Sequence, residues 1–355
     1  MPLTSAELIA DPIGRYPVST VACFDPTEGE LPRRGLDEGR TISLLERFAA
    51  EGVPAVLIAS STGQGHLRTA EELEAWIRCA ARADTGEMLR IALLRPEDGF
   101  ETNRRLLKLL VDNDFPVVFF RPGTDLPSGA DEAAVRDQLA PLVAAAAGEG
   151  LAIGLYTISG VSGVPLTADA AAHLVEGEGG EHIVAVKVTE VDYETSTARF
   201  LAHPALRRLK IVQGWDPHLV RALKEGPRFD SAGRQRAGIT SGLMSLAVRQ
   251  YLHLMAAAQK GDWQEVEQAK QAATALFQSM QDDPQQFADL QRAKYIMGLG
   301  HPLTGTVTEQ QVERVFSALE SMTRWEDRRR LAQSLDLMGD GPYHERLTAL
   351  AGESA

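Results

Sequence analysis

One lysine stands inside a run that otherwise reads as a fully buried strand, Ile183-Val184-Ala185-Val186-Lys187-Val188. Burial penalises the ammonium form, so this setting predicts a lowered pKa and an amine that is nucleophilic near neutral pH. The alternative is a strand-end lysine whose ammonium snorkels to water. Two further sets of side chains could complete a site around it. Tyr156 closes the run Leu151-Ala152-Ile153-Gly154-Leu155-Tyr156, and its phenol could carry a proton. The stretch Ser60-Ser61-Thr62-Gly63-Gln64-Gly65-His66 offers hydroxyls and backbone N–H groups that could cradle a small carboxylate. A plain capped turn is the alternative there, because Thr69-Ala70-Glu71-Glu72 just beyond it reads as a capping box.

The elements that would position these groups follow from the apolar pattern. Short strand-like runs recur at 18–24, 53–59, 89–94, 116–120, 151–156, 183–188, 209–213 and 237–241. Helical spacing separates them, over 37–51, 69–83, 102–112, 130–148, 167–176, 194–202 and 217–225, and returns at 243–260. Strands too apolar to be solvated on one face, alternating with helices, predict a parallel sheet, and eight such units predict an α/β fold of the (β/α)8 TIM-barrel type. An open doubly wound sheet is the structural alternative. The expected organisation is a barrel over residues 15–260, a C-terminal helical region over 261–338 packed on it or forming a subunit contact, and a flexible tail over 339–355. Period-two alternation puts Lys187 with Ala185 and Ile183, and Tyr156 with Gly154 and Ala152. Both would project inward from the C-terminal ends of adjacent strands, the end that carries chemistry in such barrels.

Composition narrows the field. With 355 residues, 44% of them apolar, the chain can bury a large core. The segment 1–17 carries Asp11, Pro12 and Pro17 where a signal peptide would be basic and then apolar, and no 18-residue apolar run exists, so a cytoplasmic protein without a membrane span is expected. A formal charge of -13 disfavours nucleic-acid and anionic-membrane partners. Cys23 and Cys79 are too few for a disulfide framework and match no zinc motif. His66 could touch a substrate, although a solvent contact suits a single loop histidine better, and His173, His182, His203, His218 and His253 show no metal spacing. Gly148, Gly150 and Gly154 precede and enter a strand, whereas a dinucleotide fingerprint follows one.

Taken in order, these residues resemble the pyruvate-dependent class I aldolases typified by dihydrodipicolinate synthase and N-acetylneuraminate lyase. Gly52-Val53 through Gly63 resembles the family's strand and Gly-Thr/Ser-Thr-Gly-Glu loop. Leu155-Tyr156-Thr157-Ile158 resembles its Tyr-Asn-hydrophobic-Pro segment, and Ala185-Val186-Lys187 its Gly-Ile-Lys strand. Fainter echoes are Ala22-Cys23-Phe24-Asp25-Pro26, Gln213-Gly214-Trp215-Asp216 and Gly238-Ile239-Thr240-Ser241. The resemblance implies a Schiff base between Lys187 and a 2-keto acid, Tyr156 as proton shuttle, Ser61, Thr62 and the Gly63 backbone on the carboxylate, and Gly238 and Ile239 lining the pocket through backbone contacts. It implies no cofactor, no metal, a small-molecule keto-acid partner and a homo-oligomer, dimer or tetramer.

The departures set the expected activity. Gln64 replaces the family's acidic residue and Ser60 the opening glycine; Arg121-Pro122-Gly123-Thr124 replaces Thr-Pro-Tyr-Tyr and its relay tyrosine; Gly160-Val161-Ser162-Gly163 lacks the arginine that grips a second carboxylate. Dihydrodipicolinate synthesis is therefore not expected. The loop 227–236 offers Arg228, Arg234 and Arg236 as replacement cations, with an exposed charged loop as the alternative. The expectation is an aldolase or dehydratase acting on pyruvate or another 2-keto acid. A keto-acid-binding homologue without turnover is the competing reading, and a metal-dependent barrel isomerase a third, which the tyrosine, lysine and glutamine at the strand ends do not suit.

Overall fold

The computed structural model describes residues 2–282 and 287–352. All eight apolar runs become strands: β1 Val21–Ala22, β2 Ala55–Ile58, β3 Leu89–Leu94, β4 Val117–Phe120, β5 Ala152–Thr157, β6 Ile183–Val188, β7 Lys210–Gln213 and β8 Ala237–Ile239. They form one sheet in chain order, and each pair from β3 to β8 is parallel. Closure is visible at the seam. Ser19, just ahead of β1, bridges Ile239 in parallel; the Thr20 N–H donates to the Ile239 carbonyl at 3.0 Å and the Ile239 N–H to the Val18 carbonyl at 2.6 Å. The fold is a (β/α)8 barrel. Every residue of β4, β5 and β6 is buried, which is why these strands read as continuous apolar runs.

Two compact units interleave along the chain: residues 1–20, 54–57 and 86–241 make the first, and 21–53, 58–85 and 242–355 the second. In the first, the helices are set by local signals such as the Asp131 and Thr167 side chains, which accept from the N–H groups of Ala134 and Ala170. The interior is filled across strands, because Gly154 makes room for Phe119: a Cβ at 154 would come within 2.2 Å of its ring. Two short helices, Ser5–Ala10 and Pro12–Arg15, precede the barrel where the sequence reading placed no element; at four and six residues they are too short for a periodic signal.

In the second unit, the Thr69/Glu72 capping box forms as expected at the start of helix Ala70–Ala81. A hairpin of two-residue strands, Thr27–Glu28 with Gly35–Leu36, was not expected, because strands this short show no alternation. Beyond residue 242 the described elements are helices: Leu243–Leu246, Val248–Gln259, Trp263–Gln278, Gln291–Ile296, Glu309–Glu320, Trp325–Leu335 and His344–Gly352. Within the helical region expected over 261–338, residues 283–286 lie outside the described residues, and the next described helix after Gln278 begins at Gln291. The segment 339–355, expected to be a flexible tail, requires correction, since 344–352 is helical with Leu347 and Leu350 buried; their i, i+3 spacing gives the short helix an apolar stripe. Residues 353–355 of that expectation lie outside the described residues.

Candidate active site

Strand register brings the lysine and the tyrosine together in the first unit. Tyr156 of β5 is the direct partner of Lys187 of β6, and Gly154 that of Ala185, after an irregularity at Ile153 and Gly154. The two side chains therefore share a face, and the Lys187 Nζ lies 4.1 Å from the centroid of the Tyr156 ring. Lys187 is 5% exposed and makes no hydrogen bond or ion pair among the described residues. Burial alone lowers its pKa from 10.5 to about 7, so much of the amine is neutral at physiological pH. Burial also pushes the Tyr156 phenol up, with the Thr189 hydroxyl, the Arg121 cation and the Glu190 carboxylate as lesser influences. The phenol thus stays protonated and can donate.

Around this pair the packing leaves little slack. A Cβ at Gly214, in the loop after β7, would come within 2.0 Å of the Thr189 Oγ1 and 3.2 Å of the Lys187 Cε, so a side chain there would displace Thr189 and press on the lysine stem. Gln213 holds that loop: its Oε1 accepts from the N–H groups of Gly214 and Trp215 at 2.9 and 3.1 Å, and its Nε2 donates to Thr197 Oγ1 at 2.9 Å. On the other side, Glu190 accepts from Thr157 Oγ1 at 2.7 Å, from the Ser159 N–H at 2.8 Å and from Ser159 Oγ at 2.5 Å, fixing the loop after β5. Gly238 pairs with Val212, which itself pairs with Lys187, so these three share the interior face. Ile239 points the other way, and both its backbone groups serve the barrel seam.

Ser61, Thr62 and Gly63 belong to the second unit, where they form a 3-10 turn after β2. The Ser61 Oγ is buried without a hydrogen-bond partner. Gly63 is needed for close approach, since a Cβ there would come within 2.7 Å of the Cys23 carbonyl and 2.8 Å of the Asp25 N. Gln64 is left-handed at φ 56, and its Oε1 accepts from the Leu303 N–H at 2.8 Å, so it acts as a brace. The Thr62 carbonyl accepts from Gln291 Nε2 at 2.9 Å. His66 meets the Phe287 ring edge-on.

Sequence reasoning missed Thr189, whose buried hydroxyl acts on the Tyr156 phenol, although its place two residues after Lys187, on the same face, was a usable signal. It also treated Arg121 only as a lost tyrosine. Of the cations looked for in 227–236, Arg236 is buried just ahead of β8, at the opposite end of the strands from Lys187, and donates to carbonyls of Leu209, Leu201 and Leu206. Arg234 pairs with Asp230 and Asp11. Both are structural. No group of three or more His, Cys, Asp or Glu suited to a metal occurs among the described residues, and no helix among them is long and apolar enough to cross a membrane.

No protein-family model and no curated protein matches the chain. Solved structures do. A sialic acid aldolase of Ruminococcus gnavus is 16% identical with a TM-score of 0.70, covering 90% of this chain and 98% of its own. A variant of the Sulfolobus solfataricus 2-keto-3-deoxygluconate aldolase is 14% identical with a TM-score of 0.70, covering 91% and 100%. A dihydrodipicolinate synthase of Bacillus anthracis is 19% identical with a TM-score of 0.65, covering 86% and 98%. At these identities the likeness is one of fold.

Proposed function

We propose that this chain is a divergent member of the dihydrodipicolinate synthase and N-acetylneuraminate lyase family, acting as a Schiff-base lyase on pyruvate or another 2-keto acid and not as a dihydrodipicolinate synthase. The observation that carries this reading is the buried, partnerless amine of Lys187 beside the Tyr156 ring. The neutral amine attacks the ketone carbon, a C–N bond forms, and the Tyr156 phenol donates the proton that lets the former ketone oxygen leave as water. The resulting iminium draws electrons from the neighbouring carbon. The Tyr156 phenolate takes a proton from that carbon to give an enamine, which attacks an aldehyde carbon to make the new C–C bond while the aldehyde oxygen takes that proton back from the phenol; the reverse sequence breaks it, and water releases the lysine. Within the second unit, the resemblance assigns carboxylate binding to Ser61, Thr62 and Gly63, and the buried, partnerless Ser61 hydroxyl is the observation there that supports an anion site.

Incubation with pyruvate and sodium borohydride tests the reading: one reduced adduct per chain on the Lys187 peptide is expected, and no adduct with any of several keto acids removes it. Binding without turnover is the second reading, favoured by the Arg121–Glu97 ion pair at the strand tip where the family has a tyrosine relay. Cleavage or formation of any aldol product excludes it.

A further inference from the structure

Arg121 follows β4 directly and continues its alternation. Phe119 pairs with Gly154, and the Phe119 ring occupies the space a Cβ at Gly154 would need, so 119 and 154 face the interior. Carried one step past the last pair, Phe120 with Leu155, the same register sets Arg121 beside Tyr156, with Lys187 next. Arg121 is fully buried. Its Nη1 donates to Glu97 Oε2 at 3.3 Å and to the Pro122 carbonyl at 2.8 Å, and its Nη2 donates to Glu97 Oε1. The Nε–H has no partner, and of the two Nη2 hydrogens only one is used. The two remaining N–H bonds lie side by side on one edge of the guanidinium, the fork that matches a carboxylate or phosphate.

A purely structural arginine need not leave that edge empty. Arg236, equally deep in the same unit, sets its Nε on the Leu209 carbonyl and its Nη atoms on those of Leu201 and Leu206. We propose that Arg121 is a specificity-determining residue whose Nε–H and free Nη2–H bind the anionic group of the aldehyde acceptor, so that the enzyme favours an anionic acceptor over a neutral one of equal chain length. The inference rests on the Schiff-base reading above and names its acceptor class. Arg121 also ranks among the charges that act on the Tyr156 phenol, which places it within electrostatic range of the reacting atoms.

The experiment compares kcat/KM, with pyruvate as donor, for two matched pairs: glyceraldehyde 3-phosphate against glyceraldehyde, and succinic semialdehyde against butanal. The phosphate and carboxylate arms identify the anion. In the wild type the charged member of at least one pair is expected to be favoured by about tenfold or more. Arg121→Lys keeps a cation against Glu97 without the fork, and that preference should fall by about tenfold. If this variant does not fold, the double variant Arg121→Gln/Glu97→Gln replaces the ion pair with a neutral one and is read the same way. No charge preference in either wild-type pair, or a preference that survives the substitution, overturns the inference. A wild type that gives no borohydride adduct with pyruvate brings down the underlying reading instead, so the two failures are distinct.

Discussion

Two lysines point into the interior of the first unit's strands from neighbouring positions, and they live differently. Lys210 begins β7 in register with Ala185 of β6, and its Nζ donates to the carbonyls of Ile13 and Gln235 at 2.8 and 2.6 Å. Lys187 lies toward the other end of β6, with an aromatic ring and no acceptor. Both are buried, and burial lowers both, Lys210 to about 8 and Lys187 to about 7. Burial alone therefore does not make a lysine chemical. A buried ammonium with carbonyl acceptors fastens the N-terminal end of the strands, whereas a buried amine without them is available to a carbonyl carbon.

The largest expected effect breaks the comparison at its reactive end. Lys187→Met should abolish the borohydride adduct and lower turnover by about three orders of magnitude or more, read by mass spectrometry and steady-state rates. Tyr156→Phe should leave a trappable amine and lower its rate of imine formation by about a hundredfold, measured by quenched time courses. Lys210→Met carries the opposite signature. It leaves two carbonyls without a donor, at about 1–3 kcal/mol each, so the urea midpoint should drop while the rate per folded molecule stays within about twofold. Equal losses of activity from Lys210→Met and Lys187→Met would erase the distinction drawn here.

Most of this contrast was legible in the residues, and part was not. The eight strands, the inward pairing of Tyr156 with Lys187 and the lowered lysine pKa follow from apolar runs, period-two alternation and burial. Lys210 also sits in an apolar run, and its place as the first residue of its strand separates it from Lys187, the fifth of six. Its acceptors were invisible, because Ile13 and Gln235 are brought to it by a four-residue helix and a loop. Arg121 was missed for a related reason. The donors that Glu97 leaves unused depend on which guanidinium edge it takes, which no spacing encodes. The final helix escaped notice because Leu347 and Leu350 are its only buried residues, while His344 and Arg346 fasten it through ion pairs that spacing does not show.

Smaller effects sharpen the comparison. Gly214→Ala should force Thr189 or the Lys187 stem to shift, slowing adduct formation by about tenfold with little change in far-ultraviolet circular dichroism. Stability should register the amine as well. A lysine at about 7 in the fold and 10.5 when unfolded makes the unfolded chain bind more protons between those pH values. Its stability is therefore present above 10.5 and lost as pH falls toward 7. Relative to wild type, Lys187→Met should gain stability on lowering the pH through that window, by about 1.4 kcal/mol per unit at most, in parallel urea titrations.

The central claim is that the absence of hydrogen-bond acceptors, not burial alone, makes Lys187 the reactive amine. Reductive trapping with pyruvate across pH 6–9, with the Lys187 and Lys210 peptides quantified in one digest, tests it most directly. The account predicts an adduct confined to Lys187 whose initial rate rises with pH and bends near 7. Labelling of Lys210 at a comparable rate, or a Lys187 rate still climbing unbent at pH 9, contradicts it.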